Sequence, residues 1–325
     1  MASAAPAAAA GPRKVTAWLP YWDQARAYQS FLSNSDLYSD LSPFWYFMNA
    51  KGAVQAYAGA GEVTIVNGAR SRGVRVVPTV TNDFDPARVK TMLGSKRAMD
   101  AHVAALVNLV RSKGFDGIDV DYESLYAADR TRYSTFISKL SASLHRYGKR
   151  LTVAVHPKTS EPGTWSGPQA QDYAAIGAAA DRVRVMAYDY SWSTSAAGPV
   201  APLGWVDRVA AFAASKIAPA KVELGMPLYG YDWVGSRGEG VTFEEVSAIR
   251  ARHNPAVQWS ESAQSSWFSY TENGVQHTVW YADAASVRAA LPVVDEYGLA
   301  GAAFWRLAGE DAGVWAAVRA RWPSV

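Results

Sequence analysis

Short apolar runs alternate eight times with segments of helical periodicity along this 325-residue chain. The run VRVVPTV is almost continuously apolar, which is typical of a parallel strand buried on both faces. Strands that alternate with helices form parallel β-α units, and eight such units close a barrel. We therefore predict a (β/α)8 TIM barrel. Its strands are predicted at 15–22, 41–48, 74–80, 115–123, 151–157, 182–190, 222–230 and 299–307, with helices at 99–114, 130–149, 205–216 and 286–298.

One connection, between the seventh and eighth predicted strands, is much longer than the others. Residues 241–253 have a helical pattern, and 257–260, 265–271 and 275–281 resemble short antiparallel strands, the last two turning at Asn273-Gly274. We predict a small α+β insertion at about 233–281 that forms one wall of a cleft. The barrel domain as a whole is assigned to residues 13–325.

The first twelve residues, MASAAPAAAAGP, lack the basic segment and the long apolar core of a signal peptide. Such an Ala/Pro-rich run is typical of a disordered leader that remains after signal cleavage, so we expect a secreted, extracellular bacterial protein. The alternative is the ragged N-terminus of a cytoplasmic protein. No apolar run is long enough for a membrane span, and we expect no membrane association.

Composition excludes several kinds of site. The chain has no cysteine, which excludes disulfides, thiolate nucleophiles and zinc–thiolate sites. A net charge of +3 gives no reason to expect nucleic acid as a partner, and we expect a monomer without a cofactor. Thirteen Trp residues are many for this length, and flat aromatic faces suit sugar rings, although large barrels also bury aromatic residues.

Three carboxylates, Asp119, Asp121 and Glu123, follow one another at every second position of the fourth predicted strand. Side chains with a period of two share one face of a strand, which here is the barrel interior. Burying three carboxylates is unfavourable unless they share protons or serve a function. Glu123 falls at the C-terminal end of the strand, where barrel enzymes have their active sites.

Three interpretations of this cluster compete. It is a structural group satisfied by hydrogen bonds, a Mg²⁺ or Ca²⁺ site, or an acid–base site. No further acidic or histidine cluster near other strand ends supports a metal, and we predict none. In the third interpretation, the like charge of Asp121 raises the pKa of Glu123 and keeps it protonated. Glycoside cleavage needs such an acid, so we predict a sugar-cleaving enzyme.

The segment DGIDVDYE, from Asp116 to Glu123, matches the DxxDxDxE motif and resembles glycoside hydrolase family 18, which includes chitinases and related N-acetylglucosaminidases. The resemblance extends from residue 13 to 322. The run GPVAPL at 198–203 is most similar to the bacterial spore-cortex-lytic, YaaH-like branch. The other segments that resemble the family are MAYD (186–189), MPLYG (226–230), VWY (279–281) with Ser286, and AFW (303–305).

The resemblance implies a substrate-assisted retaining mechanism, in which the substrate's 2-acetamido oxygen attacks the anomeric carbon and forms an oxazolinium ion. Glu123 would protonate the glycosidic oxygen and later activate water. Asp121 would orient the acetamido N–H, and Asp119 would share a proton with Asp121. Tyr188 would donate its hydroxyl to the acetamido oxygen, and Trp305 would form the floor beneath the −1 sugar.

Several further residues are candidates for substrate binding. Asp189 either binds a sugar hydroxyl or anchors its loop, and the matched segments add Met186 and Tyr229. Tyr21, Trp22, Phe44 and Trp45 end the first two predicted strands and are candidate subsite aromatics. His156 follows the fifth strand and is either cleft-facing or structural. Asp116 has the opposite parity from the other acids, and we leave it out of the catalytic set.

Two functions remain at this point: a hydrolase of β-linked N-acetylglucosamine glycans, and a non-catalytic chitinase-like lectin. The chain keeps Glu123, Asp121 and Tyr188, which favours the hydrolase. The motif selects a 2-acetamido sugar at −1 but leaves the polymer open among chitin, peptidoglycan and an N-glycan core. It also leaves open whether the enzyme cuts internally or from an end.

Overall fold

A computed structural model describes residues 13–323. The predicted leader at 1–12 lies outside the described residues. The strands are β1 Lys14–Pro20, β2 Asp40–Met48, β3 Val54–Ala56, β4 Arg75–Val76, β5 Thr79–Thr81, β6 Gly117–Asp121, β7 Arg150–Val155, β8 Arg182–Val185, β9 Val222–Pro227, β10 Gly230–Val234, β11 Arg237–Val241, β12 Gln258–Ser260, β13 Ser265–Glu272, β14 Val275–Tyr281 and β15 Gly301–Trp305.

Most helices lie between consecutive barrel strands. They are α1 Gln24–Ser33, α2 Val63–Arg70, α3 Pro86–Leu93, α4 Lys96–Ser112, α5 Arg130–His145, α6 Ser166–Ala170, α7 Tyr173–Ala179, α8 Leu203–Lys216, α9 Phe243–His253, α10 Ala284–Glu296 and α11 Gly313–Arg321. Within residues 13–323, no helix is long and apolar enough to cross a bilayer.

The parallel sheet closes into a ring, because β1 pairs with both β15 and β2. Eight strand positions complete the ring, so the predicted TIM barrel is confirmed. The third position is divided into β4 and β5 at Val77-Pro78. Proline has no N–H to donate to a neighbouring strand, although its carbonyl still accepts from the Asp119 N–H at 2.9 Å.

The insertion carries a five-stranded antiparallel sheet in the order β11-β10-β14-β13-β12. The sheet begins at Gly230, within the segment that the apolar pattern assigned to the seventh barrel strand. The sequence pattern predicted α9, β12, β13 and β14 but not β10 and β11. The sequence of β11, RGEGV, has two glycines and no alternation of apolar residues, so no periodicity marks it as a strand.

The two faces of the barrel strands have different surroundings. Outward residues such as Val15, Leu19 and Val153 join the large apolar core between the barrel and its helices. The inward residues form a polar layer beneath an aromatic one. The polar layer contains Thr16, Ser42, Asp119, Thr152, Arg184 and Glu223, and the aromatic layer contains Trp18, Phe44 and Tyr188.

Candidate active site

Three of the motif's four carboxylates lie at increasing height in the barrel mouth. Asp119 is fully buried, Asp121 is 5% exposed, and the Glu123 side chain is 15% exposed. Asp119 and Asp121 belong to β6, and Glu123 follows its end. The strand therefore leads from the polar interior to the cleft, and its outermost acid is the one that a substrate reaches first.

Asp119 is surrounded by hydrogen-bond donors. Its Oδ2 accepts from Trp18 Nε1 at 2.9 Å and Thr79 Oγ1 at 2.8 Å, and its Oδ1 accepts from Thr152 Oγ1 at 2.6 Å. The Arg184 guanidinium lies 3.1 Å from Oδ2. These donors suit a carboxylate. The Arg184 guanidinium supplies the positive charge beside it that a metal ion supplies in a metal site.

Arg184 also connects Asp119 to a second buried acid. Its Nε donates to Glu223 Oε2 at 3.0 Å and its Nη1 to Ser42 Oγ at 2.7 Å. This arginine was not predicted from the sequence, because a charged residue between two valines of a strand gives no sign of its partners. The alternation RVRV does place it on the inner face.

Asp121 has the opposite environment. Its Oδ1 is buried and has no hydrogen-bond partner among the described residues. Burial, followed by the negative charge of Asp119, raises the pKa of Asp121 from its ordinary 3.8 to about 8. The resemblance implied a proton shared within this pair; the donors around Asp119 favour the proton on Asp121.

Glu123 is held by its main chain. Its N–H donates to Asn82 Oδ1 at 2.8 Å, and Asn82 Nδ2 donates to the Glu123 carbonyl at 2.9 Å. Burial and the charges of Asp121 and Asp189 raise the pKa of Glu123 well above its usual range. Sequence analysis missed Asn82, although it directly follows the neighbouring strand β5, where parallel strand ends meet.

Non-glycine residues with positive φ gather at these two strand ends. The φ angles are 50° at Asp83, 58° at Phe84 and 55° at Ser124. Such backbone conformations are unfavourable for residues with a side chain and cluster at functional sites. They flank Asn82 and Glu123, the two residues that hydrogen-bond to each other.

Asp189 joins the barrel to the insertion. Its Oδ1 accepts hydrogen bonds from the hydroxyls of Tyr229 at 2.5 Å and Tyr231 at 3.0 Å. It thus anchors its loop, as one of the two predicted roles requires, and it also lines the open cleft. Tyr231 belongs to β10 and was missed with that strand.

An aromatic wall surrounds the carboxylates. Trp305 packs edge-on against Trp18 and Phe44, with ring centroids 5.8 and 5.4 Å apart. Tyr21 stacks on Tyr57, which sequence analysis missed, at a centroid separation of 4.0 Å. The structure therefore brings together the predicted residues Tyr21, Phe44, Met186, Tyr188, Tyr229 and Trp305.

Trp45 is the predicted binding residue that the structure places elsewhere, and the prediction was wrong. Its side chain is fully buried in the core outside the barrel, where its ring packs against Phe115 and its Nε1 donates to Gln24 at 2.5 Å. Adjacent strand residues point to opposite faces, so Phe44 faces the site and Trp45 cannot.

The contacts of Asp116 and His156 show where these two side chains lie relative to the site. Asp116 accepts the Val76 N–H at 2.8 Å and ties β6 to β4 outside the site. His156 is buried with Nδ1 3.6 Å from Glu123 Oε2, so it lies against the predicted acid. Beside this centre, a cleft of about 650 Å³ opens between Trp22, Trp305, Tyr229 and the insertion.

Comparison with known proteins gives a consistent result. The chain is 32% identical over 246 residues to YdhD of Bacillus subtilis, named as a sporulation-specific glycosylase, covering 73% of this chain and 58% of that one. It is 32% identical over 211 residues to the cortical fragment-lytic enzyme of the same species, covering 62% and 48%. The chain thus spans about half the length of these curated relatives.

A solved chitinase from Chromobacterium violaceum superposes with a TM-score of 0.88 at 28% identity, covering 95% of this chain and 98% of that one. The model of the family "Glycosyl hydrolases family 18" matches residues 18–311. The fold, the acidic strand and these matches lead to one conclusion: the chain belongs to glycosyl hydrolase family 18.

Proposed function

We propose that this protein hydrolyses β-linked N-acetylglucosamine-containing glycans with retention, using the substrate's own acetamido group as the nucleophile. The observation that carries the proposal is the division of roles along β6. Asp119 is saturated with donors, Asp121 keeps a buried oxygen free, and Glu123 stands at the cleft with a raised pKa. Asp119 is fully buried, and the raised pKa of Asp121 favours a neutral acid, which is a poor nucleophile.

In the first step, Glu123 gives its proton to the glycosidic oxygen while the bond from that oxygen to C1 breaks. The acetamido oxygen forms a new bond to C1, which yields an oxazolinium ion. The Asp121 carboxyl group, which is 5% exposed at the barrel mouth, accepts the acetamido N–H. The Asp119–Asp121 pair holds negative charge beside the developing cation, and such preorganised charge is most effective where water is excluded.

In the second step, Glu123 is a carboxylate and takes a proton from water. The water oxygen attacks C1 and the bond to the acetamido oxygen breaks, so the β configuration returns. Tyr188 is buried beside these acids, and burial raises the pKa of its hydroxyl well above the ordinary 10. It therefore remains a donor, suited to the acetamido oxygen.

The nature of the glycan is tested by product analysis. We propose chitin-type oligosaccharides and bacterial cell-wall glycan as substrates, which are consistent with the names of the chitinase and the cortical fragment-lytic relative. Mass spectrometry of digests of chitooligosaccharides, purified peptidoglycan and high-mannose N-glycans identifies the polymer. An N-acetylglucosamine thiazoline mimics the oxazolinium, and an enzyme indifferent to it would contradict substrate assistance.

We predict that Glu123→Gln lowers kcat by at least about 10²-fold, the usual contribution of a positioned acid. Glu296→Gln is the control, because Glu296 is exposed at the end of α10, away from the cleft. Initial rates on the best substrate found above provide the measurement. Full activity in Glu123→Gln refutes the role of Glu123. If the wild type binds these glycans and cleaves none, the lectin alternative holds instead.

A further inference from the structure

A histidine touches the catalytic acid from the neighbouring strand. β7 runs parallel to β6, with Val153 opposite Val120, and His156 follows the end of β7 as Glu123 follows the end of β6. The ring is buried, and its Nδ1 lies 3.6 Å from Glu123 Oε2. No role was assigned to this residue by the motif or by the division of labour proposed above.

The other ring nitrogen fixes the tautomer. The main-chain N–H of Ser124 points at His156 Nε2 with a separation of 3.2 Å. A backbone N–H only donates, so Nε2 must present its lone pair. A neutral ring then carries its proton on Nδ1, the nitrogen that faces Glu123. Burial lowers the pKa of His156 from 6.5 to about 4, so the ring is neutral at neutral pH.

The position of the ring is fixed on all sides. Trp165 packs edge-on against it at 4.7 Å. The His156 N–H donates to Gln171 Oε1 at 2.7 Å, and the Tyr173 hydroxyl donates to its carbonyl at 2.5 Å. Gln171 in turn donates to the Tyr122 carbonyl, one residue before Glu123. The histidine and the acid are thus held in one hydrogen-bonded frame.

We propose that His156 is a positioning residue that decides which oxygen of Glu123 carries the acidic proton, an inference that rests on the proposed function. Its Nδ1–H faces Oε2 at an N···O separation of 3.6 Å, and the proposed hydrogen bond forms as negative charge develops on the carboxylate. The proton of the neutral acid therefore sits on Oε1. It passes from Oε1 to the glycosidic oxygen as the C1–O bond breaks, and Oε1 later takes the proton from the attacking water.

The same contact adjusts the acid's strength. An N–H donor stabilises the carboxylate form and so lowers the pKa of Glu123, opposing burial and the nearby negative charges. Loss of the donor raises the pKa of Glu123. In the pH profile of kcat/KM, the basic limb, where activity falls as Glu123 loses its proton, then moves to higher pH. The titratable and charged groups packed around the pair are Asp121, Asp189, Tyr188, Tyr173 and Lys158.

Two substitutions separate the two ring nitrogens. The amide nitrogen of asparagine occupies the place of Nδ1, whereas the amide of glutamine reaches the place of Nε2. His156→Asn keeps the donor to Glu123 and loses the acceptor for the Ser124 N–H; His156→Gln does the reverse. We expect His156→Gln to lower kcat about tenfold to a hundredfold with KM nearly unchanged, a fraction of the ~10²–10⁴ typical of acid catalysis.

The two variants should have opposite effects: His156→Asn should lower stability but not activity, and His156→Gln should lower activity but not stability. His156→Asn should keep kcat within about threefold of wild type and leave the basic limb of the pH profile in place, yet melt at a lower temperature, because the part-buried Ser124 N–H loses its partner. His156→Gln should melt near wild type and show the displaced limb. An unchanged kcat and limb in His156→Gln, or equal kcat losses in both variants, would overturn the proposal.

A substrate-free measurement keeps this test independent of the proposed function. Nitrogen-15 NMR of wild-type protein with labelled, assigned histidines reports which ring nitrogen is protonated. We expect His156 to be protonated at Nδ1 and unprotonated at Nε2 from about pH 5 to 8, given its lowered pKa. The opposite tautomer or an imidazolium refutes the proposal even if the enzyme is active; failure to cleave any glycan refutes the proposed function alone.

Discussion

Single residues in this site are tuned more by what surrounds them than by their own chemistry. Asp119 and Asp121 are the same residue type two positions apart, yet one receives every donor and the other has a free oxygen. This asymmetry favours the proton on Asp121, so the folded state of the protein holds a proton that the unfolded chain releases.

We predict that Asp121→Asn stabilises the protein, and increasingly so as the pH rises. The pKa of Asp121 is about 8 in the folded state against 3.8 ordinarily, so between these values the folded protein binds more protons than the unfolded chain. Wild-type stability therefore falls as pH rises, whereas Asn does not titrate. The difference in unfolding free energy between Asp121→Asn and the wild type should grow by about 1–3 kcal/mol from pH 5 to 8.

Urea denaturation of both proteins at the two pH values measures this gap, and activity should be lost in the variant. A gap of equal size at pH 5 and 8 would show that Asp121 is ionised in the folded protein. Burial of Asp121 lowers stability, yet the residue is needed for activity, which is a common trade-off between stability and function.

At the scale of elements, the ends of β5, β6 and β7 form one unit, in which Asn82 and His156 hold the residues around Glu123 from either side. The regular strands bring these ends together, and the irregular residues after them supply the contacts. The geometry of the acid is therefore determined by the two neighbours of its strand.

We predict that Asn82→Ala lowers kcat about tenfold, because a displacement of ~1 Å in a catalytic group costs up to about 10²-fold. Three hydrogen bonds to the main chain are lost, two with Glu123 and one to the Asp85 carbonyl, at about 0.5–1.5 kcal/mol each. Asn67→Ala on the exposed face of α2 is the control. Kinetics and thermal melting of both variants test this; a loss of stability without a loss of kcat would reduce Asn82 to a structural role.

At the element scale, some side-chain positions could be predicted from the sequence and others could not. The spacing of Asp119, Asp121 and Glu123 placed them correctly because a strand has a period of two. The same rule puts Phe44 and Trp45 on opposite faces but does not say which of them faces inward, because β2 buries large residues on both faces and its register with β5 shifts between Phe44 and Tyr46. Contacts such as Asp119 with Arg184 join residues far apart in sequence, which periodicity cannot reveal.

At the scale of the whole molecule, the alternation of elements predicted the fold class, the insertion and a cleft with the insertion as one wall, but not the full set of the cleft's walls. Its walls come from the first strand's end, the eighth strand and the insertion. Trp22 and Trp305 in these walls are separated by almost the whole chain, and only closure of the barrel makes them neighbours.

We predict that Trp22→Ala raises KM for long oligosaccharides about fivefold while leaving kcat and the KM of the shortest substrate unchanged. Trp22 is 51% exposed and lines the cleft, so a sugar ring can cover its face, worth about 1 kcal/mol. Tyr147→Ala is the matched control, because that ring is 48% exposed beyond the end of α5. A KM that rises equally for short and long substrates would mean that Trp22 serves the central site.

The insertion enters and leaves the barrel through paired strands. Gly230 at its start lies opposite Tyr281 at its end, on β10 and β14. The ends of the insertion are thus neighbours, as are the ends of a surface hairpin. For protein engineering this makes the insertion an exchangeable cassette: one wall of the cleft can be lowered, raised or replaced from another family member while the ring of strands and its acids stay closed and intact.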